Sequence, residues 1–176
     1  MNQLIKSKGQ NFGLFYGIFL IFLTLYAYAI DINFFVSYWF LIFVIISFFV
    51  NAFWVMGSLK KAQAGLMSFK EGFTVFFISN ALALLLSTLF TLLLFTIIDP
   101  ELQDTVKELT IIKTTEAMEY FNAGMDQIDI SIEEIRNQDN FSIVSQIKGY
   151  FSTLAICSIA GLLIALILKK KEEENY

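Results

Sequence analysis

The chain has 176 residues, of which 57% are apolar and only 16% are charged, and its mean hydropathy is +0.67. This composition lies outside the usual range of soluble globular domains and indicates a membrane protein, so that we expect the lipid bilayer to be its main partner. Its formal net charge of −4 argues against nucleic acid as a partner, because phosphates require a basic surface.

Four apolar runs are each long enough to cross about 30 Å of hydrocarbon, which takes roughly 20 helical residues. They cover residues 12–30, 34–56, 72–98 and 150–168. Because hydrocarbon cannot hydrogen-bond to the backbone, such runs form helices. The sequence therefore predicts an all-α integral membrane protein in which residues 1–176 form a single domain with four transmembrane helices.

Small residues recur at a spacing of four in the first and fourth runs, at Gly13 and Gly17 and at Gly161 and Ala165. Such pairs let helix backbones approach closely. We interpret them as packing notches inside the bundle, with contact between protomers of a homo-oligomer as the alternative. The first run also ends on Ala27-Tyr28-Ala29, which imitates a signal-peptide cleavage site; cleavage there is a second alternative and leaves three spans.

The strongest polar groups inside the runs are Asn51 and Asn80, at comparable distances from the link between the second and third helices. We predict a structural hydrogen bond between them across this helical hairpin, since interhelical polar contacts stabilise membrane bundles, with a substrate-binding pair as the alternative. In the link, Ser68 and Glu71 have the spacing of a capping box, so the third helix is predicted to begin there. No Asp, Glu, Lys, Arg or His occurs within the predicted spans, which argues against a proton-coupled pump.

Lysines mark one side of the predicted bundle. Eight of the twelve cations lie before the first helix, between the second and third, or after the fourth: Lys6, Lys8, Lys60, Lys61, Lys70, Lys169, Lys170 and Lys171. Lysine and arginine near helix ends are retained in the cytoplasm. We therefore expect both termini to be cytoplasmic, in the bacterial inner membrane, and residues 99–148 to form an extracytoplasmic insertion.

This insertion carries eleven carboxylates and four cations. Asp99 and Pro100 are predicted to open a helix as N-cap and first residue, and Gly124 to end it. A second helix is predicted from Asp126 to Gln138, giving a helical hairpin. Apolar side chains depart from the main stripe at Ile111, Met118 and Ile130, where we predict contact either with the rest of the protein or with a protein partner.

No catalytic chemistry is predicted. The chain has no histidine, its one cysteine, Cys157, lies inside the fourth run, and the acids of the insertion match no calcium loop. Serine-hydrolase, Walker and dinucleotide motifs are also missing from the sequence. We expect no catalytic residue, metal site or cofactor, and interpret the acids as a solvated face.

The order of features resembles an uncharacterised bacterial membrane family known as domain of unknown function 4199. The resemblance rests on KKAQAGLMSFKEGF before the third span, IIDPELQDTVKE after it, EAMEYFNAGM in the hairpin, SQIKGYFSTL, and LKKKEEE near the end. It covers about residues 8 to 171 and implies a four-span inner-membrane protein with an outward helical insertion. It implies no activity.

Two functions remain open at this stage. The first is a non-enzymatic accessory or assembly protein that binds a partner through the insertion. The alternative is a small transporter or channel subunit whose pathway runs between protomers, lined by Asn51, Ser79, Asn80 and Ser87. A lipid-handling enzyme has no candidate nucleophile or acid–base pair.

Overall fold

The computed structural model describes residues 3–170 and contains six α-helices within that range. They are α1 (Gln3–Ala29), α2 (Tyr38–Ala62), α3 (Phe69–Leu93), α4 (Leu102–Tyr120), α5 (Met125–Asn137) and α6 (Ile143–Leu168). A 3₁₀ turn (Ile32–Val36) precedes α2, and a π turn (Leu94–Ile98) continues α3. Four helices, α1, α2, α3 with its π turn, and α6, are long and apolar enough to cross a membrane. This confirms the predicted all-α class with four membrane-type helices; Lys171 lies outside the described residues.

Two of these helices begin well before their apolar runs. Helix α1 begins at Gln3 rather than at residue 12, and α6 begins at Ile143 rather than at residue 150. The reason is that Lys8 or Lys148 lowers hydropathy without interrupting a helix. The actual start of α6 is marked by Ser142, whose hydroxyl accepts a hydrogen bond from the Ser145 N–H.

The second apolar run, by contrast, is partly not α-helical. The 3₁₀ turn takes up residues 34–36, and Ser37 then caps α2 by accepting from the Phe40 N–H. Asp31 caps the 3₁₀ turn by accepting from the Asn33 N–H. The predicted start at residue 34 is therefore wrong, because two successive caps specify a turn that hydropathy alone does not detect.

Helix α3 is the centre of the bundle and packs against α1, α2 and α6. The main core cluster includes Val55 and Met56 of α2, Phe76 of α3, and Ile164 of α6. At one end of the bundle, which we call the turn end, the predicted capping box of Ser68 and Glu71 is present and begins α3.

The turn end is also fastened to the end of α6. Met67 and Lys170 exchange backbone hydrogen bonds of 2.9 and 2.8 Å. The Lys60 ammonium donates to the Leu168 carbonyl over 2.9 Å, so it satisfies one of the last carbonyls of α6. The link between α2 and α3 thereby holds three helix ends together.

At the opposite end, the hairpin end, α4 and α5 pack against each other. The predicted helix start at Asp99 and Pro100 is wrong by two residues: α4 begins at Leu102, with Glu101 in the N-cap position. The Asp99 N–H donates to the Leu94 carbonyl and completes the π turn. The tight turn that follows buries Leu102 against Leu94 and Phe95, and this packing sets the start of α4.

Helix α4 ends at Tyr120, and the residue that stops it is Asn122 rather than the predicted Gly124. Asn122 has a φ of 56°, a left-handed conformation that asparagine tolerates. The Asn122 N–H donates to the Glu119 carbonyl and the Ala123 N–H to the Met118 carbonyl, which is the Schellman pattern. Gly124 has a φ of −66° and precedes α5, which spans Met125–Asn137, close to the predicted second helix.

Candidate functional site

Asn51 is the centre of a polar contact inside the bundle, but its partner is not the predicted one. Its side-chain amide donates to the Ser79 hydroxyl over 3.2 Å, and the two residues are buried. Ser79 and Asn80 are neighbours on α3, so their side chains point about 100° apart around the helix. Asn80 therefore cannot face α2 while Ser79 does, and the predicted bond between Asn51 and Asn80 is replaced by one between Asn51 and Ser79.

Asn80 itself is only 1% exposed, and neither of its side-chain polar atoms has a hydrogen-bond partner within residues 3–170. The Cys157 thiol of α6 is close enough to interact with this amide, although no hydrogen bond of adequate geometry joins them. An unsatisfied amide at membrane depth costs free energy. Asn80 is therefore not the structural contact that its residue type predicted.

Tyr16 and Ser47 form a second polar contact that the sequence did not single out. Their hydroxyl oxygens lie 3.3 Å apart, and Ser47 also donates to the Val44 carbonyl over 2.8 Å. Ser47 precedes Asn51 by one helical turn, so both lie on the same face of α2. The four-residue spacing of Ser47 and Asn51 in the sequence therefore indicates a polar face on α2.

The structure places the residues named for a transport pathway between protomers at different depths within one chain. Ser79 and Asn80 are fully buried, Ser87 is half-buried, and Asn51, although buried, borders an open groove of about 340 Å³ between α1 and α2. A pathway at the outer surface of the bundle would therefore not meet Ser79 or Asn80. Their burial does not favour a pathway lined by all four residues.

The small residues lie at contacts within the chain. A side chain at Gly13 would place its Cβ 2.7 Å from the Ser79 carbonyl oxygen, and one at Gly17 would lie 2.8 Å from Leu86 Cδ1. Gly9 extends the series by a further turn and faces Ile78. On α6, Gly161 faces the Phe76 ring and Ala165 is completely buried. Glycines at positions 9, 13 and 17 thus seat α1 on α3.

The three apolar residues predicted to contact either the rest of the protein or a protein partner are not exposed together. Ile111 is buried, with 7% of its surface exposed, and Met118 is half-buried in a cavity between α4 and the 3₁₀ turn. Only Ile130 is well exposed, at 58%. The burial of Ile111 is that of a residue in contact with the rest of the protein, which is one of the two predicted alternatives, because α4 packs against both α5 and the 3₁₀ turn.

A different pair of apolar residues is exposed among the carboxylates. Ile112 of α4 lies between Glu108 and Glu116, four positions away on either side, and all three are exposed. Ile130 of α5 lies opposite the buried Ile128 and borders a shallow depression of about 360 Å³ with Glu133 and Glu134. Each isoleucine is thus an apolar spot within an acidic surface.

Charge in the hairpin is largely solvated. The one ion pair among the described residues joins Lys113 to Glu116 at 2.7 Å and is well exposed. At the approach to α6, the hydroxyl and then the backbone N–H of Ser142 hold the pKa of the Asp139 carboxyl below its usual range. No group of three or more metal-ligating His, Cys, Asp or Glu side chains occurs within residues 3–170. The described part of the hairpin therefore presents a solvated, charged surface.

The comparisons with known proteins place this architecture in a family. The profile of a family described as "Protein of unknown function (DUF4199)" matches residues 11–170. The chain belongs to the DUF4199 family. The DUF4199 match extends from the first turns of α1 to the end of α6, so bundle and hairpin are parts of one family domain. No curated protein and no solved structure matches the chain.

Proposed function

We propose that this DUF4199 protein is a non-enzymatic accessory or assembly protein of the bacterial inner membrane, which binds another protein through the α4–α5 hairpin. The observation that carries the proposal is the pair Ile112 and Ile130, two large apolar side chains exposed among carboxylates. Contiguous apolar patches rimmed by polar residues mark protein–protein docking sites, and we propose that the two isoleucines together form such a patch. By comparison with these two isoleucines, the polar groups that face the bundle interior give weaker support to a transport pathway.

The charge around this pair indicates the chemistry of the partner. Residues 99–148 have a net charge of minus seven, and the exposed carboxylates within four positions of the two isoleucines include Glu108, Glu116, Glu133 and Glu134. A partner that is basic around an apolar pocket would be attracted by this surface, and its approach would be accelerated. We infer that the hairpin lies outside the cytoplasm, because the lysines collect at the other end of the bundle.

Site-specific photo-crosslinking in native membranes tests this proposal. A photoreactive residue at Ile130 or at Ile112 is expected to give the same protein adduct, and Asp129, which is exposed on a different face of α5, is the matched control. The adduct should weaken when Ile130→Asp is added to the Ile112 probe, and also at high salt, which screens charges beyond a few ångströms. Adducts that are equally strong from Asp129, or that ignore both changes, would contradict the proposal.

A further inference from the structure

The last turn of α4 extends beyond the bundle. Leu102 at the start of α4 is buried against Leu94 and Phe95, whereas Tyr120 and Phe121 at its end are 82% and 79% exposed. Leu102 and Tyr120 are eighteen positions apart, which is five helical turns, so they point to the same side of α4. The side of α4 that contacts the bundle at Leu102 therefore continues to Tyr120. No part of residues 3–170 covers Tyr120 or Phe121 there.

The space beside this pair lies at the level where α2 begins. Phe121 borders the same cavity as Tyr38, the first residue of α2, and both Tyr38 and Trp39 are exposed. Helix α2 is one of the membrane-type helices, and exposed Tyr and Trp at the end of such a helix mark the membrane–water interface. With α2 crossing a membrane, this arrangement puts the end of α4 at the depth of the lipid head groups.

The cavity beside Phe121 is lined by both apolar and polar side chains, as expected of a site at the membrane–water interface. It has a volume of about 520 Å³ and lies between α4 and the 3₁₀ turn. Phe35, Val36 and Met118 provide apolar surface, and Thr110, Thr114 and Lys113 provide polar groups. A volume of this size is in the range of small-molecule sites, which are roughly 300–1,000 Å³. Its lining matches the part of a phospholipid where the head group meets the acyl chains.

We propose that a zwitterionic phospholipid occupies this cavity, with its phosphate beside Lys113, and that Tyr120 and Phe121 lie in the surrounding head-group region. Lys113 is the one cation among the residues that line the cavity, and Glu116 lies 2.7 Å from it. This pair provides both signs of charge for a zwitterionic head group. The surplus of carboxylates in residues 99–148 opposes a lipid with net negative charge.

Fluorescence from a single tryptophan measures the depth of the aromatic pair. In a Trp39→Phe, Trp54→Phe background, Tyr120→Trp provides the reporter and Ile130→Trp, at an exposed position of α5, provides the control. The protein is placed in phosphatidylethanolamine–phosphatidylcholine vesicles that contain nitroxide lipids labelled either at the head group or deep in the chain. We expect blue-shifted emission from Trp at position 120 and several-fold stronger quenching by the shallow label than at position 130. Equal, water-like emission at both positions would overturn the proposal.

Crosslinking provides a second readout that keeps both native tryptophans. A photoreactive residue at Met118 is expected to add the mass of one phospholipid, more often in phosphatidylethanolamine vesicles than in phosphatidylglycerol vesicles, and Lys113→Gln should reduce this yield several-fold. An adduct to a second copy of the chain, or no lipid adduct at all, would refute the lipid as occupant. The depth of the tryptophan at position 120 and the yield of lipid adducts do not depend on which side of the membrane the hairpin faces. This inference can therefore fail or hold independently of the proposed function.

Discussion

The packing of α1 on α3 predicts that Gly13→Ala destabilises the protein. The added Cβ would lie 2.7 Å from the Ser79 carbonyl oxygen, 3.0 Å from the Ser79 Cα and 3.1 Å from the Leu82 Cβ. Carbon contacts are most favourable at about 3.5–4.0 Å, so α1 would have to move away from α3 by roughly half an ångström or more. Two of the three neighbouring atoms are backbone atoms, which cannot rotate away.

The expected cost follows from the behaviour of overpacked interiors. Inserting a methyl group into a well-packed contact costs about 1–3 kcal/mol. The replacement of glycine by alanine within a helix itself contributes roughly 0.5–1 kcal/mol of stability, so the net loss is about 0.5–2 kcal/mol. Movement of α1 would also stretch the contacts of Gly9 and Gly17, which are 2.8 Å from Ile78 and Leu86 by the same measure.

Gly57→Ala in α2 is the matched control, because a Cβ at that position has nothing within 4 Å. We expect this variant to keep or slightly raise the stability of the wild type. Reversible unfolding in detergent micelles, followed by circular dichroism, measures both variants against the wild type. If Gly13→Ala is as stable as Gly57→Ala, then α1 does not pack on α3 in the way described.

Three further predictions concern the bundle interior and the helix ends. Asn51→Leu should lower the free energy of unfolding by about 0.6–2 kcal/mol, since it breaks the hydrogen bond to Ser79. Asn80→Leu should leave the free energy of unfolding unchanged or raise it, because the Asn80 amide has no hydrogen-bond partner among the described residues. The same unfolding assay compares the two variants, and a larger loss for Asn80→Leu would refute this assignment. Ser68→Ala should cost about 1 kcal/mol by removing half of the capping box, and a negligible loss in that assay would show that the cap contributes little. Asp139 has a lowered pKa in the folded protein, so its carboxylate stabilises the start of α6 above the usual carboxyl pKa. This stabilisation is lost as the pH falls below about 4. Hydrogen exchange at the Ser142 amide should show the loss, and Asp139→Asn should abolish the pH dependence.

The number and type of membrane helices could be predicted from hydropathy because length and apolarity alone determine them. The boundaries could not, since helices α1 and α6 continue through Lys8 and Lys148 into polar sequence. The 3₁₀ turn at Ile32–Val36 is as apolar as the helix that follows it, so only its caps, Asp31 and Ser37, distinguish it.

The candidate contacts show the limit of arguments from spacing. Asn51 and Asn80 are at comparable distances from the link between α2 and α3. That distance does not determine the direction in which a side chain points around its helix, and Ser79 faces α2 instead of Asn80. Likewise, Ile111 departs from the main apolar stripe of α4 because a second element, α5, covers that side. Which sides of a helix are covered depends on tertiary packing that one helix's own sequence does not contain.

The sidedness of the hairpin is the direct test of the proposed arrangement in the membrane. In a Cys157→Ala background, one cysteine is introduced at Gln127 in α5 or at Ala64 in the link between α2 and α3, both outside the membrane-type helices. A maleimide that does not cross membranes is then applied to intact cells of a bacterial host whose outer membrane admits it. We predict that position 127 is labelled in intact cells and position 64 only after the inner membrane is opened. Labelling of position 64 but not of position 127 in intact cells would contradict the account.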